Sequence, residues 1–186
     1  MSKTLKITQP STDTGGMATI TYGDASAIGE NTLTSVNVSV HTNEHLRVTI
    51  SNGKVMAVAE ATSPDGGATY ADATTDAAFS GADLVISRTT EQTGGDANGS
   101  YDVSAMNFKA IDLPIDFNEP LAVEIAHDKY DSGDHSIDLQ LQGNVAISTF
   151  DGLASGNDTF VAVDAYALAI EDELSLSTVM ITSAVG

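Results

Sequence analysis

The feature that most constrains the fold is a two-residue alternation of apolar and polar side chains, which recurs along most of the chain. Val36, Val38 and Val40 alternate with polar residues in SVNVSV, and the same pattern continues in LRVTIS (46–51). Successive side chains of a β-strand point to opposite faces, so this pattern predicts strands with one buried face. The three-to-four-residue period of helices is almost absent, which indicates an all-β protein.

About ten strands follow from this pattern, at the spacing of a β-sandwich or barrel. No stretch resembles a crossover helix between strands, so the sheets are expected to be antiparallel. The chain is expected to form a single β-barrel domain over 1–186, with an extended N-terminal arm over 1–16. The predicted strands cover 17–22, 35–40, 46–51, 54–60, 83–89, 101–108, 121–127, 136–142, 144–150, 159–170 and 174–182.

Turns and loops are predicted from the residues between these runs. Asn52-Gly53 lies between two alternating runs, and Asn-Gly is the preferred pair for a type I′ hairpin turn. HTNEH (41–45) is interpreted as a turn between strands. Its histidines, His41 and His45, therefore lack the helix that a two-histidine zinc motif needs. The stretches 62–82 and 89–100 have no pattern and are predicted to be long loops suited to contacts with neighbouring subunits.

Charge excludes several classes of partner. The chain has 26 acidic residues against seven basic ones, a net charge of -19. Nucleic-acid grooves need several cationic side chains per phosphate track, so direct binding of DNA or RNA is not expected. Adsorption to anionic lipid is disfavoured for the same reason. Such self-repulsion is best tolerated at high ionic strength, so the composition favours a protein for salty water, with an ordinary acidic protein as the alternative.

The first residues contain no apolar run, so no signal peptide is expected. The protein is therefore expected to be made and kept in the cytoplasm, or to leave the cell by a route other than secretion. The chain has no cysteine, which excludes disulfides, cysteine-based zinc sites and thiol catalysis.

The densest polar stretch is HDKYDSGDHSID (127–138), where Asp128, Asp131 and Asp134 offer oxygen ligands suited to calcium. The spacing does not match an EF-hand loop. A turn joining LAVEIAH (121–127) to SIDLQLQ (136–142) explains the same residues, because Asp, Ser and Gly favour turns. A turn is the leading interpretation, and an exposed cation site on the three aspartates is the alternative.

No catalytic motif emerges from the sequence. Neither SGND nor GDAS has the G-x-S-x-G spacing of a nucleophile elbow, and no helix follows either. The glycine pairs at 66–67 and 94–95 lack the strand-before, helix-after context of a phosphate-binding loop. The expectation is a protein that is not an enzyme, with no catalytic residues and no cofactor other than a possible calcium ion.

Length, acidic composition and strand runs such as LRVTISNGKVMAVAE and SIDLQLQGNVAISTF together resemble a known family. The chain is similar to the smaller of the two major capsid proteins of tailless icosahedral viruses of halophilic archaea. The resemblance implies a single jelly roll standing upright in a virion shell that encloses a membrane. It also implies partners: copies of itself and a larger sister capsid protein of the same fold.

Two alternatives remain from the sequence. One is a decoration protein or tail-tube subunit of a tailed phage, which would also be acidic and rich in strands. The other is a calcium- or carbohydrate-binding β-sandwich module, although the chain has no tryptophan to stack on a sugar.

Overall fold

The computed structural model describes residues 16–113 and 142–186 in full and the backbone of 121–130. It confirms an all-β protein in which two sheets pack as a sandwich. The strands are β1 Met17–Ile28, β2 Asn31–His45, β3 Val48–Thr62, β4 Tyr70–Ser80, β5 Leu84–Asp96, β6 Gly99–Asp112, β7 Leu121–Tyr130, β8 Asn144–Ser155, β9 Thr159–Ile170 and β10 Leu174–Val185.

The two sheets differ in width. Sheet A has four strands in the order β4-β1-β10-β9, and every neighbouring pair is antiparallel. Sheet B has six strands in the order β7-β5-β6-β3-β2-β8. β8 and β9 therefore lie at the edges of the two sheets, and the short turn between them takes the chain from one sheet to the other.

The prediction that all sheets are antiparallel was wrong for two pairs. β7 runs parallel to β5, and β8 runs parallel to β2. β7 follows β6 in the chain and lies on the far side of β5. Because β5 and β6 are antiparallel, a strand that runs opposite to β6 is parallel to β5. β8, the next strand in the chain, lies at the opposite edge of sheet B beside β2. Alternation along a strand does not encode which strands are neighbours, so these two parallel pairs could not be predicted from it.

The predicted turn at Asn52-Gly53 was also wrong. Both residues lie inside β3, where Asn52 pairs with His41 of β2. The hairpin turns at Leu46-Arg47, and both residues have positive φ, 51° and 68°. The segment 41–45 is accordingly the end of β2 rather than a turn.

A packing requirement explains the glycine within β3. Gly53 pairs with Phe108 of β6, and a β-carbon at Gly53 would overlap the phenyl ring. Gly53 is therefore required so that the Phe108 ring can pack directly against the backbone of β3, and not for a turn.

The predicted loops are largely strands. The stretch 62–82 contains β4, and 89–100 forms the end of β5, a tight turn and the start of β6. The alternation in β4 is present but weak, because the inward positions are mostly alanine and threonine rather than valine or isoleucine. Loop contacts with neighbouring subunits are not supported for these residues.

The core between the sheets is made of small side chains. It consists mainly of valine and alanine, with one edge-to-face aromatic pair, Phe79–Phe108, at a centroid distance of 4.9 Å. Buried hydroxyls join the sheets directly: Thr34 to Ser177 at 3.0 Å and Thr42 to Ser183 at 2.9 Å. These bonds satisfy polar groups that would otherwise destabilise a buried interior.

Two predictions lie partly or wholly outside the described residues. They are the arm over 1–16 and the strand over 136–142. The jelly-roll connectivity is not confirmed by the strand order.

Candidate assembly surface

The outer face of sheet A is unusually apolar for so acidic a chain. At one end of the sheet, a single cross-strand row runs through Tyr70, Ile28, Leu174 and Ile170, one residue from each strand. Ile28 is 52 % exposed and Tyr70 is 50 % exposed. Directly opposed residues of an antiparallel pair lie on the same face, so these four side chains form a continuous strip. We call it the apolar end row.

Further large apolar side chains extend this surface across the same face. They are Ile20, Tyr22, Met180, Tyr166 and Phe160, all exposed. The strands of sheet A contain no lysine or arginine, and their only charged residues are Asp24, Asp72, Asp76 and Asp164. All four aspartates lie on the same outer face, in the rows between and beside these further side chains, so only the end row is apolar across all four strands. A contiguous exposed apolar strip such as the end row is typical of an interaction site.

The outer face of sheet B differs in charge. Lys54, Asn107 and Arg88 are paired residues in one cross-strand row, with Lys109 in the adjacent row. All three cations are exposed, and within the part of the chain described with side chains none forms a salt bridge. Both outer faces carry exposed apolar side chains, such as Ile86 on sheet B, but only sheet B adds clustered cations to them.

At the β8–β9 side of the sandwich the two sheets are in contact, but they leave inward side chains of β9 exposed to solvent. Gly152 of β8 lies under β9, where an added β-carbon would come within 2.9 Å of Val161. Nevertheless Val161 and Val163 are 38 % and 39 % exposed, although the β10 residues paired with them, Ser183 and Ile181, are fully buried. The inward face of β9 therefore remains open along its free edge.

β8 shows the same exposure on its own edge. Phe150 shares the inward face with Val38, its partner in β2, and yet is 54 % exposed. Ile147 and Leu153 are exposed on the other face. β8 is attached to its neighbours by the Asp151–His41 contact at 2.9 Å and by the bond that the Ser148 hydroxyl donates to the Tyr166 carbonyl, also 2.9 Å.

We call the combined surface the β8–β9 margin. It carries only two charged residues, Asp151 and Asp164. Its large exposed side chains are Ile147, Phe150, Leu153, Phe160, Val161, Val163, Tyr166 and Ile170.

The sequence-predicted cation site is not assembled by the described residues. Asp128 belongs to β7 and not to the predicted turn, because that strand continues to Tyr130. Asp131 and Asp134 lie outside the described residues, so the site on these three aspartates stays a prediction. His41 and His45 lie four residues apart on an extended strand, which separates their side chains by roughly 13 Å.

Three acidic side chains have perturbed titration. Burial raises the pKa of Asp102, whose carboxylate accepts a 2.9 Å hydrogen bond from the Ala73 N–H of the opposite sheet. Burial, followed by the nearby Asp83 carboxylate, raises the pKa of Asp112. Burial alone raises the pKa of Glu60. Asp102 and Asp112 lie near opposite ends of β6, and Glu60 lies on the outer face of β3. The three groups therefore do not converge on one cleft, which favours structural roles.

One open depression of about 390 Å³ lies beside the β2–β3 turn. Its walls are largely apolar, formed by Leu46, Val48 and Ile50 with Asn43, His45 and Asn52. Over residues 16–113 and 142–186, no three His, Asp or Glu side chains are grouped closely enough to hold a metal ion. In the same part of the chain, no helix is long and apolar enough to cross a membrane.

Comparison with protein-family models, with curated proteins and with solved structures gives no match.

The assembly surface was not predicted from the sequence, although part of its signal is present there. The run 159–170 is apolar at nearly every position, with Asp164 as its only charge. Such a run is typical of a strand buried on both faces. The structure places it instead at a free edge, and only the strand order reveals that.

Proposed function

We propose that the chain is a structural subunit of a virion shell, which assembles through the outer face of sheet A and the β8–β9 margin. The observation that carries this proposal is the apolar end row, four adjacent side chains on the face of a protein with a net charge of -19. A chain that is otherwise so acidic gains solubility from its charge, so an uncharged exposed strip favours burial against a partner.

Interface chemistry supports the same function. The cores of protein–protein contacts are enriched in Tyr, Phe and Met and depleted of lysine and glutamate. The outer face of sheet A carries Tyr22, Tyr70, Tyr166, Phe160 and Met180 and has no lysine or glutamate. Its large side chains are those of a contact core, whereas its four aspartates would need screening by salt or a cation from a partner.

The finer form of the proposal follows the resemblance to capsid proteins of halophilic archaeal viruses. The subunit would be a jelly-roll capsid protein that occupies the shell together with a larger sister protein, above an internal membrane. Subunits of like charge repel each other when packed together, so the shell should hold together only where salt screens them or cations bridge them.

Negative-stain microscopy of the native assembly tests this function. We expect closed shells at about 1 M salt, where the screening length is about 3 Å, and dissociation after dialysis into millimolar salt with a chelator. Shells that remain intact under the second condition would contradict the salt dependence. Rings or tubes in place of shells would contradict the capsid function and favour a tail-tube subunit.

A calcium titration by calorimetry addresses the remaining class. A structural subunit without a cation site gives no heat of binding. Heat that disappears when Asp128, Asp131 and Asp134 are all changed to Asn would instead support a calcium-binding module.

A further inference from the structure

We propose that two copies of this chain join through their β9 strands, edge to edge and antiparallel, about a two-fold axis perpendicular to sheet A. The contact would extend the four strands of sheet A into one sheet across both copies. Its place in a shell rests on the proposed function, whereas the pairing itself can be measured without it.

The edge of β9 that faces away from β10 has no strand paired with it in the described part of the chain. β9 is a strand of twelve residues whose ladder partner is β10, and beyond that ladder its Tyr166 carbonyl accepts a hydrogen bond from the Ser148 hydroxyl of β8. Exposed edges in natural sheets are normally protected by lysine, proline, a bulge or short length. β9 contains no lysine or proline, and its twelve residues pair with β10 without a bulge. An unprotected edge of this length is suited to pairing with another strand.

The side chains of β9 are exposed to solvent on both faces of the strand. Eleven of its residues are exposed and only Leu168 is of intermediate burial. Val161 and Val163 face inward and remain open to solvent, while Phe160 and Tyr166 are exposed on the outer face. A strand paired along the free edge would cover part of both the inward and the outward side chains. A partner bound to one face of the sheet would cover only one of these two sets.

Two copies of β9 can pair with each other in a register that avoids like charges. Opposed residues share a face, so a symmetric pair must match outward residues with outward ones. Two registers preserve nearly the whole overlap. One places Asp164 opposite its own copy, which sets two carboxylates side by side. The other centres on Ala165 and places Asp164 opposite Tyr166, with Phe160 opposite Ile170.

Like charges directly opposed destabilise a strand pair. The register centred on Ala165 avoids this contact and aligns the large apolar side chains of the outer face. It also places the small inward residues Ala165 and Ala167 opposite Ala165 and Val163 of the second copy. We therefore assign this register to the pair.

The available area suits a stable dimer. Twelve residues at about 3.4 Å each span about 40 Å, and a two-layer sandwich is roughly 20 Å thick with its side chains. The margin then offers about 800 Å² per copy, the usual size for a specific protein contact. Phe150 of β8 lies on the inward face beside this edge and would be covered together with β9.

Single-cysteine cross-linking tests both the partner and the register. The chain has no cysteine, so one substitution provides a unique probe. Directly opposed Cα atoms in an antiparallel pair lie about 4.5–5.5 Å apart, within disulfide range. Ala165→Cys should therefore give a covalent dimer under mild oxidation at about 1 M NaCl.

Ala169→Cys is the matched control. It makes the same change on the same face of β9, but its own copy would lie far along the strand, so no dimer should form. Cross-linking of Asp164→Cys in preference to Ala165→Cys would overturn the assigned register. Equal cross-linking of all three variants would indicate random collision and overturn the pairing.

A second measurement does not depend on oxidation. For the unmodified chain purified without the sister protein of the shell, light scattering after size exclusion should give a two-chain mass in the same salt. Ala165→Asp opposes two carboxylates at the axis, and it should weaken dimerisation by at least about tenfold. Ala78→Asp adds the same charge to the outer face at the other edge of sheet A, and it should leave the dimer unchanged.

The outcomes separate this pairing from the proposed function. A one-chain mass at all protein concentrations would overturn the β9 pair, and the edge would then belong to a different protein or to residues 1–15 of the same chain. Shells that still form from Ala165→Asp would also overturn the pair as a shell contact but retain the function. Dimers without any shell would retain the pair and contradict the function.

Discussion

At the scale of single residues, the structure assigns particular roles to glycine and to buried carboxylates that composition could not. Gly53 gives space to Phe108, and Gly152 gives space to Val161 across the sandwich. Asp102 joins β6 to the backbone of β4 in the opposite sheet. Each role depends on a neighbour that is distant in sequence, so each can be tested by changing one partner at a time.

Gly53→Ala should lower the free energy of unfolding by about 1–3 kcal/mol, because the new methyl group overlaps the Phe108 ring in a packed interior. Denaturant titration measures the change. Asn52→Ala, its exposed neighbour, should change stability by less than about 0.5 kcal/mol. The double variant Gly53→Ala/Phe108→Leu should recover part of the loss. A loss that is unchanged in the Phe108→Leu background would show that the ring is not the cause.

Asp102→Asn should stabilise the protein more at pH 7 than at pH 5. Because burial raises the pKa of Asp102, the folded protein keeps this proton to a higher pH than the unfolded chain. The corresponding stability is present at low pH and is lost as the pH rises through the raised pKa. Asparagine carries no charge, and its side-chain oxygen can still accept the hydrogen bond from the Ala73 N–H. The substitution therefore removes the loss of stability at higher pH.

Melting temperatures at the two pH values measure the effect. Asp76→Asn, an exposed change on β4, is the control and should show no such difference between the two pH values. An Asp102→Asn variant that is destabilised equally at pH 5 and pH 7 would show that the raised pKa of Asp102 does not limit stability.

At the scale of elements, strand existence was predictable and strand pairing was not. The alternating runs in 35–40, 101–108 and 174–182 all fall inside observed strands, because one face of each is buried. β4 was missed because its inward positions carry small side chains. The Asn52-Gly53 turn was misplaced because a local dipeptide preference was overridden by the fit to Phe108. The parallel pairs and the free β9 edge are properties of strand order, which periodicity does not encode.

The β2–β3 hairpin contains a correctable strain. Leu46 and Arg47 occupy the two central positions with positive φ, where Asn-Gly is preferred. Leu46→Asn/Arg47→Gly should therefore raise the free energy of unfolding by about 1 kcal/mol. Chemical denaturation checks this, and Arg47→Gln serves as a control that removes the same charge without adding glycine. A less stable double variant would contradict the turn assignment.

At the scale of the whole molecule, the two sheets differ in charge. The four strands of sheet A have no cation, whereas Lys54, Arg88 and Lys109 all lie on the outer face of sheet B. The two outer faces of the sandwich therefore differ in the charges they carry. The core of valine, alanine, serine and threonine adds only a modest apolar area per residue, so repulsion among the acids weighs more heavily on stability.

Raising NaCl from about 0.1 M to 1 M should therefore increase the melting temperature of the dissociated protein, because the screening length falls from about 10 Å to 3 Å. Thermal unfolding followed by circular dichroism measures this. Sucrose at equal osmolality supplies a control that does not screen charge, and its effect should be smaller. Equal effects of salt and sucrose would show that repulsion is not what limits stability.

The proposed function requires the outer face of sheet A to be buried when the protein assembles. Tyrosine nitration followed by mass spectrometry tests it directly, because Tyr22, Tyr70 and Tyr166 lie on that face and Tyr101 lies on the outer face of sheet B. In assembled material the three sheet A tyrosines should react several-fold more slowly than in dissociated protein, with Tyr101 as the internal reference. Equal reactivity of the three in both states would contradict the proposed function.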